Sequence, residues 1–216
     1  MSVDTKICGI NDPAAMRTAV TAGAKYVGLV FYPPSPRALT PEEAARLATL
    51  VPNGVTTVGL FVDPDDTIVD TVLNMVPPDM MLQLHGNESP SRCAELRLRT
   101  GCPVMKAIKV ANQDDIDTAD DYLGSVDCLM FDAKAPREMT GGLPGGNALS
   151  FDWTLLVGRT WPVPWMLAGG INSDNVVAAV KASGTKIVDV SSGVETEPGC
   201  KDPARIEAFL AAVKNL

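Results

Sequence analysis

Eight short runs of β-branched and apolar residues, each followed by an Ala-rich amphipathic stretch, predict an α/β fold closed into a single (β/α)8 TIM barrel. Repeated strand–helix units imply parallel strands joined by right-handed crossovers. Eight such units in 216 residues suit a closed barrel better than an open doubly wound sheet. No linker or low-complexity segment interrupts them, so residues 1–216 read as one domain.

The strands are expected at 5–8, 26–31, 56–62, 80–84, 104–109, 128–131, 165–168 and 187–190. Each is a short apolar run of the kind that a strand buried on both faces requires. Helices are expected between and after them, at 13–22, 41–50, 65–75, 91–99, 113–122, 151–157, 173–182 and 203–213. Asp12 before Pro13, Thr40 before Pro41, and Asn172 ahead of the seventh helix have the character of N-caps. Residues 134–150, rich in Gly and Pro, are too long for a routine connection. They read as an active-site loop or lid, with a passive surface insertion as the alternative.

Composition narrows the function. Hydrophobic residues make up 46% of the chain and charged residues 20%, enough apolar side chain for a packed core. A formal charge of -8 argues against nucleic acid or an acidic membrane surface as a partner. It leaves room for a small anion, because a few backbone amides can reverse the potential locally. The five cysteines (Cys8, Cys93, Cys102, Cys128, Cys200) form no CxxC pair, and one histidine, His85, cannot complete a zinc set. With no signal-peptide pattern and no membrane-length apolar run, a cytoplasmic setting with free thiols is expected.

In such barrels the chemistry sits at the C-terminal ends of the strands. That rule selects Cys8 and Gly9 after strand 1, Arg37 in the Pro-rich turn after strand 2, and His85 after strand 4. It also selects Asp132 after strand 6, Gly169 and Gly170 after strand 7, and Asp189 with Ser191, Ser192 and Gly193 at strand 8. The small residues of the last two loops leave backbone N–H groups open to a phosphate; the plainer alternative is that the glycines merely turn the chain. Asp132, following an apolar Leu129-Met130-Phe131, is costly unless it faces the barrel mouth. Cys8 is either a reactive thiol or a small buried hydrophobe. Arg37 is either an anion clamp or an exposed arginine. His85 suits a supporting hydrogen-bonding role better than catalysis. Lys106 and Lys109 would serve Schiff-base chemistry only if desolvated, and Lys6 could neutralise anions near the site.

Taken in order, the motifs resemble the phosphoribosylanthranilate isomerase family of tryptophan biosynthesis. The blocks are Lys6-Ile7-Cys8-Gly9, Gly28-Leu29-Val30-Phe31-Tyr32 with Ser35-Pro36-Arg37, Gly59-Leu60-Phe61-Val62 and Leu82-Gln83-Leu84-His85-Gly86. They continue through Phe131-Asp132, Gly145-Gly146, Phe151-Asp152-Trp153 and Leu167-Ala168-Gly169-Gly170-Ile171. The last are Asp189-Val190-Ser191-Ser192-Gly193-Val194-Glu195, Pro198-Gly199 and Lys201-Asp202.

The resemblance implies an Amadori rearrangement of N-(5-phosphoribosyl)anthranilate, a small phosphorylated substrate, by a monomer or homodimer with no cofactor or metal. Cys8 would be general base and Asp132 general acid. Arg37 would hold the anthranilate carboxylate and Asp189 the sugar, while Gly169, Gly170, Ser191, Ser192 and Gly193 would take the phosphate. Asp132 must then hold a proton and Cys8 must lose one, so a thiol pKa at or below the free ~8.5 is expected. One departure touches the glycine-rich loop: the family often has Gly-Gly-x-Gly, whereas here Asn147-Ala148 follow Gly146.

The nearest rival, an aminoaldose isomerase of the histidine-biosynthesis type, uses an aspartate where Cys8 stands. A lyase would need an essential lysine such as Lys106, and a phosphate-ligand binder would need neither Cys8 nor Asp132.

Overall fold

In the computed structural model, residues 2–76, 79–134, 145, 149–214 and 216 are described. Eight parallel strands close into a barrel in sequence order. They are β1 (Asp4–Cys8), β2 (Tyr26–Val30), β3 (Thr56–Phe61), β4 (Met81–Leu84), β5 (Val104–Val110), β6 (Cys128–Ala133), β7 (Trp165–Leu167) and β8 (Ile187–Val190). Closure is made by β1 against β8, with Lys6 level with Asp189. A short antiparallel pair, β9 (Glu195–Glu197) and β10 (Cys200–Lys201), folds over the mouth after β8.

The outer layer is formed by α1 (Pro13–Ala22), α2 (Pro41–Ala48), α3 (Asp66–Leu73), α4 (Pro90–Thr100), α5 (Gln113–Asp117), α6 (Val176–Ser183) and α7 (Pro203–Lys214). Two of the expected caps are in place. Asp12 accepts from the amides of Ala14 and Ala15, and Thr40 forms a reciprocal capping box with Glu43. The third is displaced: α6 begins after Asn175, while the Asn172 side chain closes a turn one step earlier by accepting from the amides of Asp174 and Asn175.

The helix expected at 113–122 is α-helical only to Asp117 and continues as a 3₁₀ segment, Thr118–Tyr122. The one expected at 151–157 is a single 3₁₀ turn, Trp153–Leu156. Gly158, at φ +74°, and the prolines at 162 and 164 leave no run long enough for more.

Side chains alternate between the two faces of each strand. Outward residues such as Ile7, Leu29, Leu82, Leu129 and Phe131 pack under the helices. Val58, Met105, Ala107, Cys128, Met130, Met166, Ala168 and Ile187 form a separate apolar cluster that fills the barrel interior. Above that plug the inward positions change from apolar to polar, and this change creates the site. Among the described residues, no helix is long and apolar enough to cross a membrane.

Candidate active site

The C-terminal mouth holds a cavity, open to solvent, whose lining includes Cys8, Arg37, His85, Asp132, Asp189 and Ser191. Strand parity explains the set. Lys6 and Cys8 on β1, Gln83 on β4 with His85 just beyond it, Asp132 on β6 and Asp189 on β8 all point inward.

On the β1 side, the Lys6 ammonium is fully buried and donates to Asp189 Oδ1 at 2.8 Å. Burial alone would push Lys6 down, yet the facing Asp189 carboxylate, with Cys8 beside it, holds it above the ordinary lysine range. Cys8 is 5% exposed. Burial pushes its thiol up, and the Lys6 charge offsets only part of that rise. The low thiol pKa expected for Cys8 therefore meets an opposing influence: burial outweighs the cation built in beside it.

Across the mouth, Asp132 is 5% exposed. Its Oδ1 accepts from the backbone amide of Ala133 at 2.9 Å, and its Oδ2 lies 3.1 Å from His85 Nε2. Behind the imidazole, the Gln83 amide nitrogen is 3.0 Å from Nδ1. Gly145 lies against this pair, since a Cβ there would stand 2.6 Å from Asp132 Oδ2 and 2.8 Å from His85 Cε1.

Arg37 is not an exposed arginine. It is 4% exposed, and Glu195 grips its guanidinium with two 2.7 Å hydrogen bonds, to Nε and to Nη2. Glu195 also accepts from Lys201, whose Nζ in turn donates to the Ser191 carbonyl at 3.0 Å. Burial alone would push the Glu195 carboxyl up, but the two cations hold it below the usual range. The Arg37 stem crosses directly over Gly9, at φ +75°, where a Cβ would come 2.5 Å from Arg37 Cδ.

After β7, Gly169 and Gly170 take φ of +89° and +65°. The cavity is lined there by both glycines with Ser191 and Ser192. Gly193 lines an adjoining recess that shares Gly170 and Ser192 with the main cavity and adds Arg205. A tetrahedral anion suits such a place, with small residues, backbone donors and a guanidinium at its edge.

A family model described as N-(5'-phosphoribosyl)anthranilate (PRA) isomerase matches residues 5–212. The chain belongs to the PRA isomerase family.

Family relatives agree over full length. The N-(5'-phosphoribosyl)anthranilate isomerase of Rhodospirillum centenum is 57% identical over 216 residues, covering 100% of both chains. That of Paramagnetospirillum magneticum is 55% identical, covering 99% of this chain and 98% of its own. Among solved structures, PRA isomerase from Thermotoga maritima superposes with a TM-score of 0.84 at 35% identity, covering 99% of this chain and 100% of its own. Another PRA isomerase structure, in complex with reduced 1-(o-carboxyphenylamino)-1-deoxyribulose 5-phosphate, gives a TM-score of 0.82 at 33% identity, with 99% and 100% covered.

The structure brings Cys8, Asp132, Arg37, Asp189, Gly169, Gly170, Ser191 and Ser192 to one cavity, with Gly193 in the adjoining recess. Most of the loop expected at 134–150, including Asn147-Ala148, lies outside the described residues. Lys106 points outward, away from Asp132, and is neutralised by Glu88 at 2.7 Å. Lys109 is half-buried, and burial together with the nearby Lys106 lowers its pKa. Glu195, Lys201 and Gln83 were not singled out from sequence. Gln83 carried one usable signal, a spacing of two from His85 that places both on one face of the strand.

Proposed function

We propose that this chain catalyses the Amadori rearrangement of N-(5-phosphoribosyl)anthranilate to 1-(2-carboxyphenylamino)-1-deoxyribulose 5-phosphate in tryptophan biosynthesis. The carrying observation is that a thiol and a carboxyl end two inward-facing strands and line one cavity, each with its own buried supporting partner. Asp132 gives its proton to the ribose ring oxygen; the ring C–O bond breaks and the anilino nitrogen lone pair forms the iminium. Cys8, as thiolate, removes the proton from the adjacent sugar carbon, and the electron pair returns to nitrogen as an enolamine that tautomerises to the ketone.

Lys6 is the fixed charge that makes the thiolate accessible at Cys8. Arg37, oriented by Glu195, receives the anthranilate carboxylate. Asp189 accepts from the sugar, and Gly169, Gly170, Ser191, Ser192 and Gly193 receive the phosphate. No step requires a cofactor. The five free cysteines, four of them buried, suit a reducing compartment such as the cytoplasm, and the working form is a monomer or homodimer.

The test follows substrate fluorescence, with phosphoribosylanthranilate generated in situ, for wild type, Cys8→Ser and Asp132→Asn. Substrate loss with wild type and a fall of at least ~10²-fold in both variants is expected. A folded wild type without turnover would sink the activity. Turnover surviving either substitution would overturn the assigned roles.

A further inference from the structure

We propose that Gln83 is a positioning residue for the acid step: it fixes the tautomer of His85 so that the imidazole donates to Asp132 and does not draw off the acid's transferable proton. The inference rests on the assignment of Asp132 as general acid. It begins with an atom that has only one role available. An amide nitrogen donates and cannot accept, so Gln83 Nε2, 3.0 Å from His85 Nδ1, requires a lone pair on Nδ1. The imidazole proton is then on Nε2, aimed at Asp132 Oδ2 at 3.1 Å.

The amide itself is oriented by a second acceptor. Met130 Sδ lies 3.3 Å from the same Gln83 nitrogen, and a thioether sulfur accepts but never donates. Both neighbours of that end of the amide are acceptors, and its two hydrogens match them. The cost falls on Gln83 Oε1, which is buried with no hydrogen-bond partner. Reversing the amide would strand the NH₂ instead and turn an oxygen toward sulfur. A buried carbonyl left short of partners is the more tolerable of the two arrangements. Gln83 itself is fully buried.

The consequence lies at the carboxyl group. With the His85 N–H donating to Oδ2, the imidazole offers no lone pair to the acid's proton, which stays available to the substrate. Oδ1 receives the Ala133 amide on one side and lies near Gly169, where a Cβ would stand 3.0 Å away. Were the imidazole proton on Nδ1, Nε2 would present a lone pair to Oδ2 and draw the acid's proton into a hydrogen bond that leads away from the substrate. The charged or titratable groups near Asp132 are His85 beyond β4, Lys109 level with it on β5, and Cys8 and Asp189 across the cavity on β1 and β8. Of these, His85 touches the carboxylate, and its tautomer is set from behind.

His85 is the single histidine of the chain, so its ring nitrogens can be read without assignment. Protein labelled with ¹⁵N-histidine would be examined by long-range ¹H–¹⁵N correlation at pH 7, as wild type, Gln83→Glu and Gln83→Leu. Wild type is expected to show a protonated Nε2 and an unprotonated Nδ1. Gln83→Glu faces Nδ1 with acceptors only and should move the proton to Nδ1. Gln83→Leu, which adds no charge, should leave a mixture and serves if the carboxylate prevents folding.

In each folded variant kcat should fall about tenfold or more while KM stays within about threefold. A wild-type spectrum with the proton on Nδ1, or folded variants that keep kcat within twofold, would overturn the proposal. Asp132→Asn in parallel separates the two levels. If it too stays active, the acid assignment has failed; if it is dead while the Gln83 variants turn over normally, only the role of Gln83 has failed.

Discussion

Replacing Lys6 with Met removes the cation beside Cys8 while preserving most of the buried stem. A Cβ placed on Gly28 would lie 2.9 Å from Cys8 Sγ and 3.2 Å from Lys6 Nζ, so those two atoms are no more than about 6 Å apart. At an effective dielectric near 20, that separation is worth about 3 kcal/mol, or about a 10²-fold change in the thiolate population. The direction follows from the groups themselves. Burial already raises Cys8, Lys6 lowers it and Asp189 raises it, so losing Lys6 leaves only the smaller downward influence of Lys201 against burial and Asp189.

The limb of the pH–kcat/KM profile that rises with thiolate formation should therefore move toward alkaline pH. Activity at a fixed pH below that limb should fall about 10²-fold. The carboxylate of Asp189 is also left unpaired, which costs about 3–5 kcal/mol of stability. Circular dichroism must accordingly confirm a folded variant. Lys6→Arg, keeping the charge, should hold the limb within about half a unit and guard against a purely structural effect. A folded Lys6→Met enzyme whose profile superposes on wild type would refute the reasoning.

Two further outcomes follow from the same geometry. Gly145→Ala should lower kcat by about tenfold or more, because the added methyl must displace Asp132 or His85 and small misplacements of reacting groups are expensive; stopped-turnover fluorescence at saturating substrate checks this. Acid should weaken the fold through Glu88 and Glu195. Burial works to raise both, yet Lys106 on the first and Arg37 with Lys201 on the second hold both below their ordinary 4.5. Lowered folded values mean that the stabilisation is whole above about pH 4.5 and is lost as pH falls through the folded values. Urea midpoints measured downward from pH 6 should fall below that point, and Glu88→Gln should flatten the decline.

Much of this was written locally in the chain. Cys8, Asp132 and Asp189 each lie at or near the C-terminal end of a short strand-forming run, and the rule that barrel chemistry gathers there was enough to make them candidates. Asp12 and Thr40 announced their helices because a cap acts within three residues. What the sequence could not reveal depends on distant partners. Arg37 meets Glu195 158 positions away and Lys6 meets Asp189 183 positions away, and neither distance leaves a periodic trace.

The Cys8 thiol was misjudged for the same reason, since its pKa reflects how deeply the closed barrel buries it and not its neighbours in sequence. The sixth helix failed on a different ground. The stretch at 151–157 is only seven residues long and rich in weak helix formers, and Gly158 with the prolines beyond it ends the segment after one turn.

The plug of Met105, Cys128, Met130, Met166 and Ile187 gives the barrel a floor. A reactant that enters at the mouth cannot pass through, so the product must depart by the doorway its precursor used, and the two compete for it. The floor also divides the labour of mutation. Residues beneath it can be exchanged for others of similar volume to adjust thermal tolerance, leaving the reacting groups above undisturbed. Met130 is the exception, being both a flagstone of that floor and the sulfur that orients Gln83. Substitutions there would carry changes in packing directly into the chemistry overhead.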